Sequence, residues 1–482
     1  WFERALPESI TLPGALQNQG FGDEISVRTE WTANVYDRTW YESPAFEAYR
    51  RPGNVKVPFW LQPDRHYVGA AWYQRDIAIP EEWRGKRVVL TLERPHWETR
   101  AWIGGRALGV RDSLSTPHVY DLGPGLAPGT HTLTLRADNR MIVDVGIWAH
   151  SVSDHTQGNW NGIVGRIELA ATSPAWIDDV QAFPDLPRQT VRLAVRIGGS
   201  AAGKVTVRAG SAAAEVDLGA DGAAVELETP LGAGARRWDE FAPELQRLSV
   251  ALRGPGIADE RVVTFGLREI AARGTRLVLN DRDLFLRGTL ECCIFPLTGY
   301  PPTEIEAWKR VIRICKDHGL NHIRFHSWCP PEAAFAAADE LGFYYQVEAA
   351  VWTAVGDGGP IDAWIYAETE RILRAYGNHP SFLLMAHGNE PGGARRDEWL
   401  GRWVEHWKAR DGRRLYTSGS GWPAISENQY HVTPAPRGPG GWIGKDYRAS
   451  IRNLSAPVIV HEMGQWCVYP NFDAIAKHTG PL

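Results

Sequence analysis

In the last two-fifths of the chain, glutamates stand just after short apolar runs. Glu390 follows Phe382-Leu-Leu-Met-Ala386 within Gly388-Asn-Glu-Pro391, and Glu462 follows Val458-Ile-Val460 within Val460-His-Glu-Met-Gly464. Glu291 and Glu348 close two further runs, and Arg324, His326, Asn389, Tyr416, Tyr430 and His431 stand at comparable places. Cleaving a bond between sugars requires two converging carboxyls, one kept protonated and one ionised. His, Arg, Tyr and Trp around such a pair suit a neutral, hydroxyl-rich ligand. An acid at a strand end also serves simply to cap the helix that follows. Burying a carboxylate against wholly apolar strands costs several kcal/mol unless it is paired, which favours a functional role for Glu390 and Glu462. Their neighbours His387 and His461 fit a core position as well as a site.

Residues this far apart converge only if the strands carrying them point the same way. From about residue 275 the chain alternates strands with helices. Strands are expected at Leu284–Gly288, His322–His326, Tyr344–Glu348, Phe382–Ala386, Arg414–Thr417, Gln429–His431 and Val458–His461. Helices are expected at Pro302–Gly319, opened by a Thr303-x-x-Glu306 capping box, and at Pro331–Leu341, Asp362–Tyr376 and Trp399–Arg410. Successive βα units imply a parallel sheet, and seven in a row favour a (β/α)8 TIM barrel with its site at the carboxyl ends of the strands. Only about twenty residues follow Glu462 and they show no eighth strand, so the last part of the barrel is expected to be missing from this chain, unless one strand has been overlooked.

The rest of the chain reads as two β domains. At 482 residues it is long enough for about three domains of ~150 residues. Residues 1–170 carry period-2 segments such as Arg87–Glu93 and His131–Arg136 between Gly/Pro turns, with no convincing helix, which predicts a jelly-roll sandwich. Residues 171–272 lose most aromatics and alternate at Thr190–Arg196, Lys204–Arg208 and Leu248–Leu252, the pattern of an immunoglobulin-like sandwich. The third domain is expected to span 273–482. A formal charge of −5 speaks against nucleic acid or an anionic membrane surface as partner, and no stretch reaches the ~20 apolar residues of a membrane span. Five cysteines, two of them adjacent and without a CxxC pair, argue against zinc or a disulfide framework. The 22 tryptophans supply many flat apolar faces, most of them expected in β cores.

Over essentially its whole length the chain resembles glycoside hydrolase family 2, the β-galactosidase and β-glucuronidase group. Trp72-Tyr-Gln-Arg75, Ile79-Pro-x-x-Trp83 and Gly162-Ile-Val-Gly-Arg166 resemble its sugar-binding jelly roll. Phe265-Gly-Leu-Arg-Glu269 with Phe285-Leu-Arg-Gly288 resembles its junction into the barrel. Gly319–Arg324 is similar to its arginine-bearing second strand, Asn378-His-Pro-Ser381 followed by Gly388-Asn-Glu390 to its acid/base signature, and His461-Glu-Met-Gly464 takes the place of its nucleophile motif. The resemblance implies a retaining exo-β-glycosidase with Glu390 as acid/base and Glu462 as nucleophile. It further implies that Asn389 bonds the sugar 2-hydroxyl. Arg324 is placed to hold Glu462 ionised, and by their places at strand ends His326, Glu348, Tyr430 and His431 are expected to line the pocket. Trp422 and Trp466 are candidate sugar platforms, and Asp154 belongs to a jelly-roll loop, 153–161, expected to reach over the barrel mouth. No second acid follows Glu348 in Ala349-Ala-Val-Trp352, so no obligatory metal or other cofactor is expected. The β-galactosidase-like activity is the leading expectation, because an Asn-x-Lys carboxylate clamp is not evident. The alternatives are β-glucuronidase, β-mannosidase, a pentosidase on plant or algal polysaccharide, or a non-catalytic glycan binder. An oligo- or polysaccharide partner, a possible homo-oligomer and a periplasmic or secreted address complete the expectations.

Overall fold

A computed structural model describes residues 6–35, 38–156, 158–200, 203–435, 446–462 and 472–477. The first part folds as two four-stranded antiparallel sheets. One contains Gly14–Ala15, Gly162–Thr172, Arg87–His96 and His118–Gly123, the other Ala70–Ile79, Gly129–Asp138, Glu98–Ile103 and Arg106–Arg111. Their inward faces meet in a core of Leu90, Leu92, Tyr120, Leu133 and Leu135, as the period-2 alternation requires. Residues 175–266 form a second sandwich of three and four strands over a core of Val, Leu, Ile and Ala side chains.

Within the first part, between the strands Gly14–Ala15 and Ala70–Ile79 and outside both sheets, lies a segment the strand pattern did not announce. Residues from Ile25 to Phe59 hold short helical turns at Thr39–Glu42 and Pro44–Arg50 around a small core of Trp40, Val55 and Val57. The expectation that residues 1–170 are β throughout is corrected here.

The last part carries the parallel strands, labelled β1 to β7 with their helices: β1 (Gly288–Glu291), α1 (Ile305–Asp317), β2 (His322–Phe325), α2 (Glu332–Leu341), β3 (Tyr344–Glu348), α3 (Pro360–Tyr376), β4 (Phe382–Ala386), α4 (Arg396–Arg410), β5 (Leu415–Thr417), β6 (His431–Thr433) and β7 (Val458–Val460). β1 to β5 form one sheet in sequence order, and β6 pairs with β7, every pair parallel. Parallel bridges Asn389↔Ser420 and Ser420↔Val432 carry the pairing from beyond β4 across to β6. Among the described residues no pairing joins β7 to β1. Wholly buried strands such as Phe382–Ala386 are apolar throughout, since helices cover one face and the sheet interior the other.

Two expectations are displaced. The first parallel strand is Gly288–Glu291, not Leu284–Gly288; Arg282–Leu284 instead closes a small antiparallel sheet with Arg276–Leu279 and Ile270–Arg273. The run Leu284–Gly288 reads as a strand from composition, but only the segment opposite His322–Phe325 finds a parallel partner. The capping box is not formed either: α1 begins at Ile305 with Glu304 at its N-cap and no side-chain capping bond.

The Asn378–Ser381 motif is structural. The Asn378 amide accepts from the Ala182 N–H at 2.8 Å and donates to the Val180 carbonyl at 2.8 Å, tying the second sandwich to the start of β4. His379 and the Ser381 N–H both bond the Asp339 carboxylate of α2, at 2.6 and 3.1 Å. The buried Arg268 guanidinium donates to the carbonyls of Pro380, Phe382 and Arg413. Both faces of this anchor lie at the amino end of β4, so its carboxyl end is left free for chemistry.

Candidate active site

The described residues include eight non-glycine positions with positive φ, and five of them follow a parallel strand within a few residues: Cys293 (57°) after β1, Ser327 (51°) after β2, Ala350 (63°) after β3, Glu390 (33°) after β4 and Glu462 (52°) after β7. Left-handed backbone is unfavourable for residues with a Cβ and persists where surrounding structure imposes it, commonly at functional sites. Glu390 and Glu462 are themselves two of these residues.

Arg324, on β2, is the hub. Its Nε donates to Glu348 Oε1 at 2.7 Å, Nη2 to Asn389 Oδ1 at 2.5 Å, and Nη1 to Glu462 Oε1 at 3.4 Å. Strands β2, β3, β4 and β7 are thereby joined at their carboxyl ends by one guanidinium. Glu348 is fully buried and both its oxygens are engaged: Oε1 also accepts the Ser420 hydroxyl at 2.6 Å, and Oε2 the Ser327 N–H at 2.6 Å. Burial pushes its pKa up, but the Arg324 charge and these bonds win and hold it below the ordinary carboxylate value. Sequence reading assigned Glu348 to the ligand; the structure makes it the counter-ion that fixes Arg324.

Glu462 is nearly buried and gathers three donors. His461 Nε2 lies 3.1 Å from its Oε1, His326 Nε2 3.3 Å, and Arg324 completes the set. Burial opposes ionisation, yet hydrogen bonds from His326 and His461 and their charges hold the carboxyl far below its ordinary value. The other ring nitrogen of His461 is 4.0 Å from Glu390 Oε1, so one imidazole stands between the two carboxylates. Its Nε2 is also 3.3 Å from Asn389 Oδ1. Glu390 keeps the most exposed side chain of the three acids (19%, against 9% for Glu462 and 0% for Glu348). Its N–H donates to the Ser420 carbonyl at 2.8 Å, and its Cγ lies so close to Gly421 that a Cβ there would meet it at 2.9 Å.

The site thus collects Arg324, His326, Asn389, Glu390, Glu462 and, behind them, Glu348. Trp422 joins at its rim, with its indole N–H on the Pro391 carbonyl at 3.0 Å. Two other assignments are corrected, those of His431 and Asp154. Tyr430 is fully buried among Trp238, Tyr344 and Leu384, and the charges of Glu348 and Arg324 act on its hydroxyl. His431 opens β6 rather than closing it, so it lies at the far end of the strand from Glu462, bonded to Asn428 at 3.2 Å. Asp154 is buried, with its Oδ2 accepting the Ala33 N–H at 2.9 Å; it staples the 25–59 segment instead of meeting the carboxylates. Trp466 lies outside the described residues.

Sequence reasoning missed Ser327, Ser420 and His150. Ser420 and Gly421 sit in Ser418-Gly-Ser-Gly421 directly after β5, a small-residue turn where backbones must come close. The strand ends are met by residues 145–151 of the first sandwich and not by the expected loop 153–161: the His150 N–H donates to Ser327 Oγ at 2.8 Å, Ser151 Oγ to the Ala350 carbonyl at 3.1 Å, and the Trp352 N–H to the Val145 carbonyl at 2.8 Å. The His150 ring stacks on His326 at 4.3 Å and 20°. An ionised carboxylate and a more accessible carboxyl on either side of the His461 imidazole, flanked by the Asn389 amide, equip the site for acid/base and nucleophilic work on a hydroxylated ligand. Among the described residues no cluster of three or more His, Cys, Asp or Glu side chains could hold a metal ion.

No family model matches the chain. It is similar in sequence to a protein of Formosa agariphila provisionally named a β-glucuronidase (26% identical, 74% of this chain and 35% of that protein). Further relatives are a β-galactosidase 2 of Enterobacter cloacae (23%, 84% and 41%) and a β-galactosidase of Aeromonas hydrophila (25%, 76% and 38%). The chain spans well under half the length of these relatives. In fold it is similar to a β-galacturonidase of glycoside hydrolase family 2 from Eisenbergiella tayi bound to galacturonate (TM-score 0.67, 20% identical, 82% of this chain and 74% of that one). It is also similar to β-glucuronidase 2 of Bacteroides uniformis bound covalently to a cyclophellitol-6-carboxylate aziridine (0.66, 18%, 81% and 53%). The resemblance to glycoside hydrolase family 2 carried by the motifs is therefore matched by sequence relatives and by multidomain β-sandwich neighbours.

Proposed function

We propose that this chain carries the catalytic site of a retaining exo-β-glycosidase. Glu462 attacks the anomeric carbon as the glycosidic C–O bond breaks, and Glu390 gives its proton to the leaving oxygen. Glu390 then takes a proton from water, whose oxygen displaces Glu462 and frees the sugar with retained configuration. Asn389, held by Arg324, offers its amide to the 2-hydroxyl. The observation that carries this reading is the pair itself: one carboxyl pinned ionised by Arg324, His326 and His461, the other more exposed across the same imidazole. Residues 1–170, 171–272 and 273–482 are read as three domains, the last as part of a (β/α)8 barrel.

For the sugar, a neutral galactose-type glycone is the first reading. A uronic acid is the second, favoured by the names of the structural neighbours, two of which are a β-galacturonidase and a β-glucuronidase. A panel of aryl β-glycosides (galactoside, glucuronide, galacturonide, mannoside, glucoside, arabinoside) tests both. One sugar should be cleaved by the wild type, with Glu390→Gln and Glu462→Gln each slower by a thousandfold or more, on the order of what acid/base and nucleophilic groups supply. A 2-fluoro glycoside should label Glu462. Undiminished cleavage in both variants overturns the site.

A further inference from the structure

We infer that Trp60, on the segment that the strand pattern did not announce, is a stacking platform for a second sugar ring of the substrate; this rests on the glycosidase reading above. Trp60 is 66% exposed, while both its neighbours are anchored. The Phe59 ring packs on Trp31 and His155 at 5.0 and 4.3 Å, and the Leu61 N–H donates to the His155 carbonyl at 3.1 Å. The segment is pinned beside the mouth by Asp154 on Ala33 and by Asn159 Nδ2 on Thr32 Oγ1 at 2.6 Å. The Trp60 ring leans edge-on against His150 at 6.4 Å. His150 stacks on His326, and His326 touches Glu462. A row of rings thus leads from the nucleophile outward and ends on an indole left in water. An exposed indole on a backbone fixed at both sides loses little freedom on binding, and its apolar face matches the C–H face of a pyranose. A single sugar bound between Glu390 and Glu462 is too small to use it, so the ligand class is an oligosaccharide, its second ring lying on Trp60.

The test compares Trp60→Ala and Trp60→Phe with the wild type on two substrates sharing the glycone identified by the panel: the glycosyl fluoride, which has no second ring, and a β-linked tetrasaccharide. The ratio of kcat/KM for tetrasaccharide over fluoride should fall about tenfold in Trp60→Ala, through KM, and recover in Trp60→Phe. An unmoved ratio overturns the platform, including when both rates fall together. Calorimetric titration with β-linked galacto-, manno- and glucurono-tetrasaccharides separates this from the hydrolase reading. Binding weakened by Trp60→Ala in a chain that cleaves nothing keeps the platform and removes the hydrolase; no binding of any tetrasaccharide removes the platform.

Discussion

At the residue scale, the chemistry depends on how three glutamates of one type come to differ. Glu348 has spent both oxygens on Arg324, Ser420 and Ser327, Glu462 is surrounded by donors, and Glu390 is left with solvent access. His326→Phe keeps the ring against His150 but deletes the donor to Glu462. Glu462 then protonates at higher pH, so under the proposed mechanism the acidic limb of the kcat/KM profile should move upward and the rate at neutral pH drop by about tenfold. Asp154 makes a second, independent case. Burial pushes its pKa up to about 7 from 3.8, against the bonds from Ala33 and Thr32. The native state therefore holds a proton that the unfolded chain releases, so the Asp154 contribution to stability falls as pH rises from about 4 to about 7, by on the order of 4 kcal/mol, while the buried neutral His96, His118, His322 and His387 contribute the opposite slope. Glu291, also raised to about 7 by burial, acts in the same direction as Asp154. Asp154→Asn, which still accepts from Ala33, should remove the Asp154 contribution, so that Tm rises relative to the wild type at pH 7.5 and changes little at pH 4.5.

At the scale of elements, the strands only approximately aim their side chains; the turns after them finish the task. Gly421 has φ of 104° and no room for a Cβ beside Glu390. Gly421→Ala should displace Glu390 and lower kcat by ten- to a hundredfold, with KM moving less. Gly146 plays the same part for the jelly-roll loop: φ is 92°, and a Cβ would sit 1.9 Å from the Trp352 carbonyl. Gly146→Ala should prise residues 145–151 from the strand ends, costing about 1–3 kcal/mol of stability and loosening His150 from His326. A urea titration and the rate on the panel sugar read both effects.

At the scale of the whole molecule, the two sandwiches act on different ends of the parallel strands. The jelly roll meets their carboxyl ends through His150 and Ser151, while the second sandwich meets the amino end of β4 through Asn378. Asn378 also accepts from Arg413 at 2.9 Å. Asn378→Ala leaves these partly buried groups unpaired and should cost about 2 kcal/mol in thermal or denaturant unfolding while leaving KM for the aryl glycoside within twofold. The family-like signature running from Asn378 to Glu390 is therefore two devices on one strand, an anchor at its start and an acid at its finish.

The alternation of strands and helices beyond about residue 300, and the placing of acids at strand ends, were determined by the sequence alone, because period-2 alternation, apolar runs and turn residues act over a few neighbours. Its local signals also single out Arg324, Asn389, Glu390 and Glu462. Tertiary structure decided everything that depends on partners from elsewhere in the chain. It set which run pairs beside His322–Phe325, that Glu348 is a counter-ion, and that His431 stands at the amino end of its strand. It also put Asp154 to work as a staple for residues 25–59. A side chain's protonation and reach are fixed by groups brought close through space, such as His461 between two carboxylates or Trp60 beside His150, and no local pattern encodes that proximity.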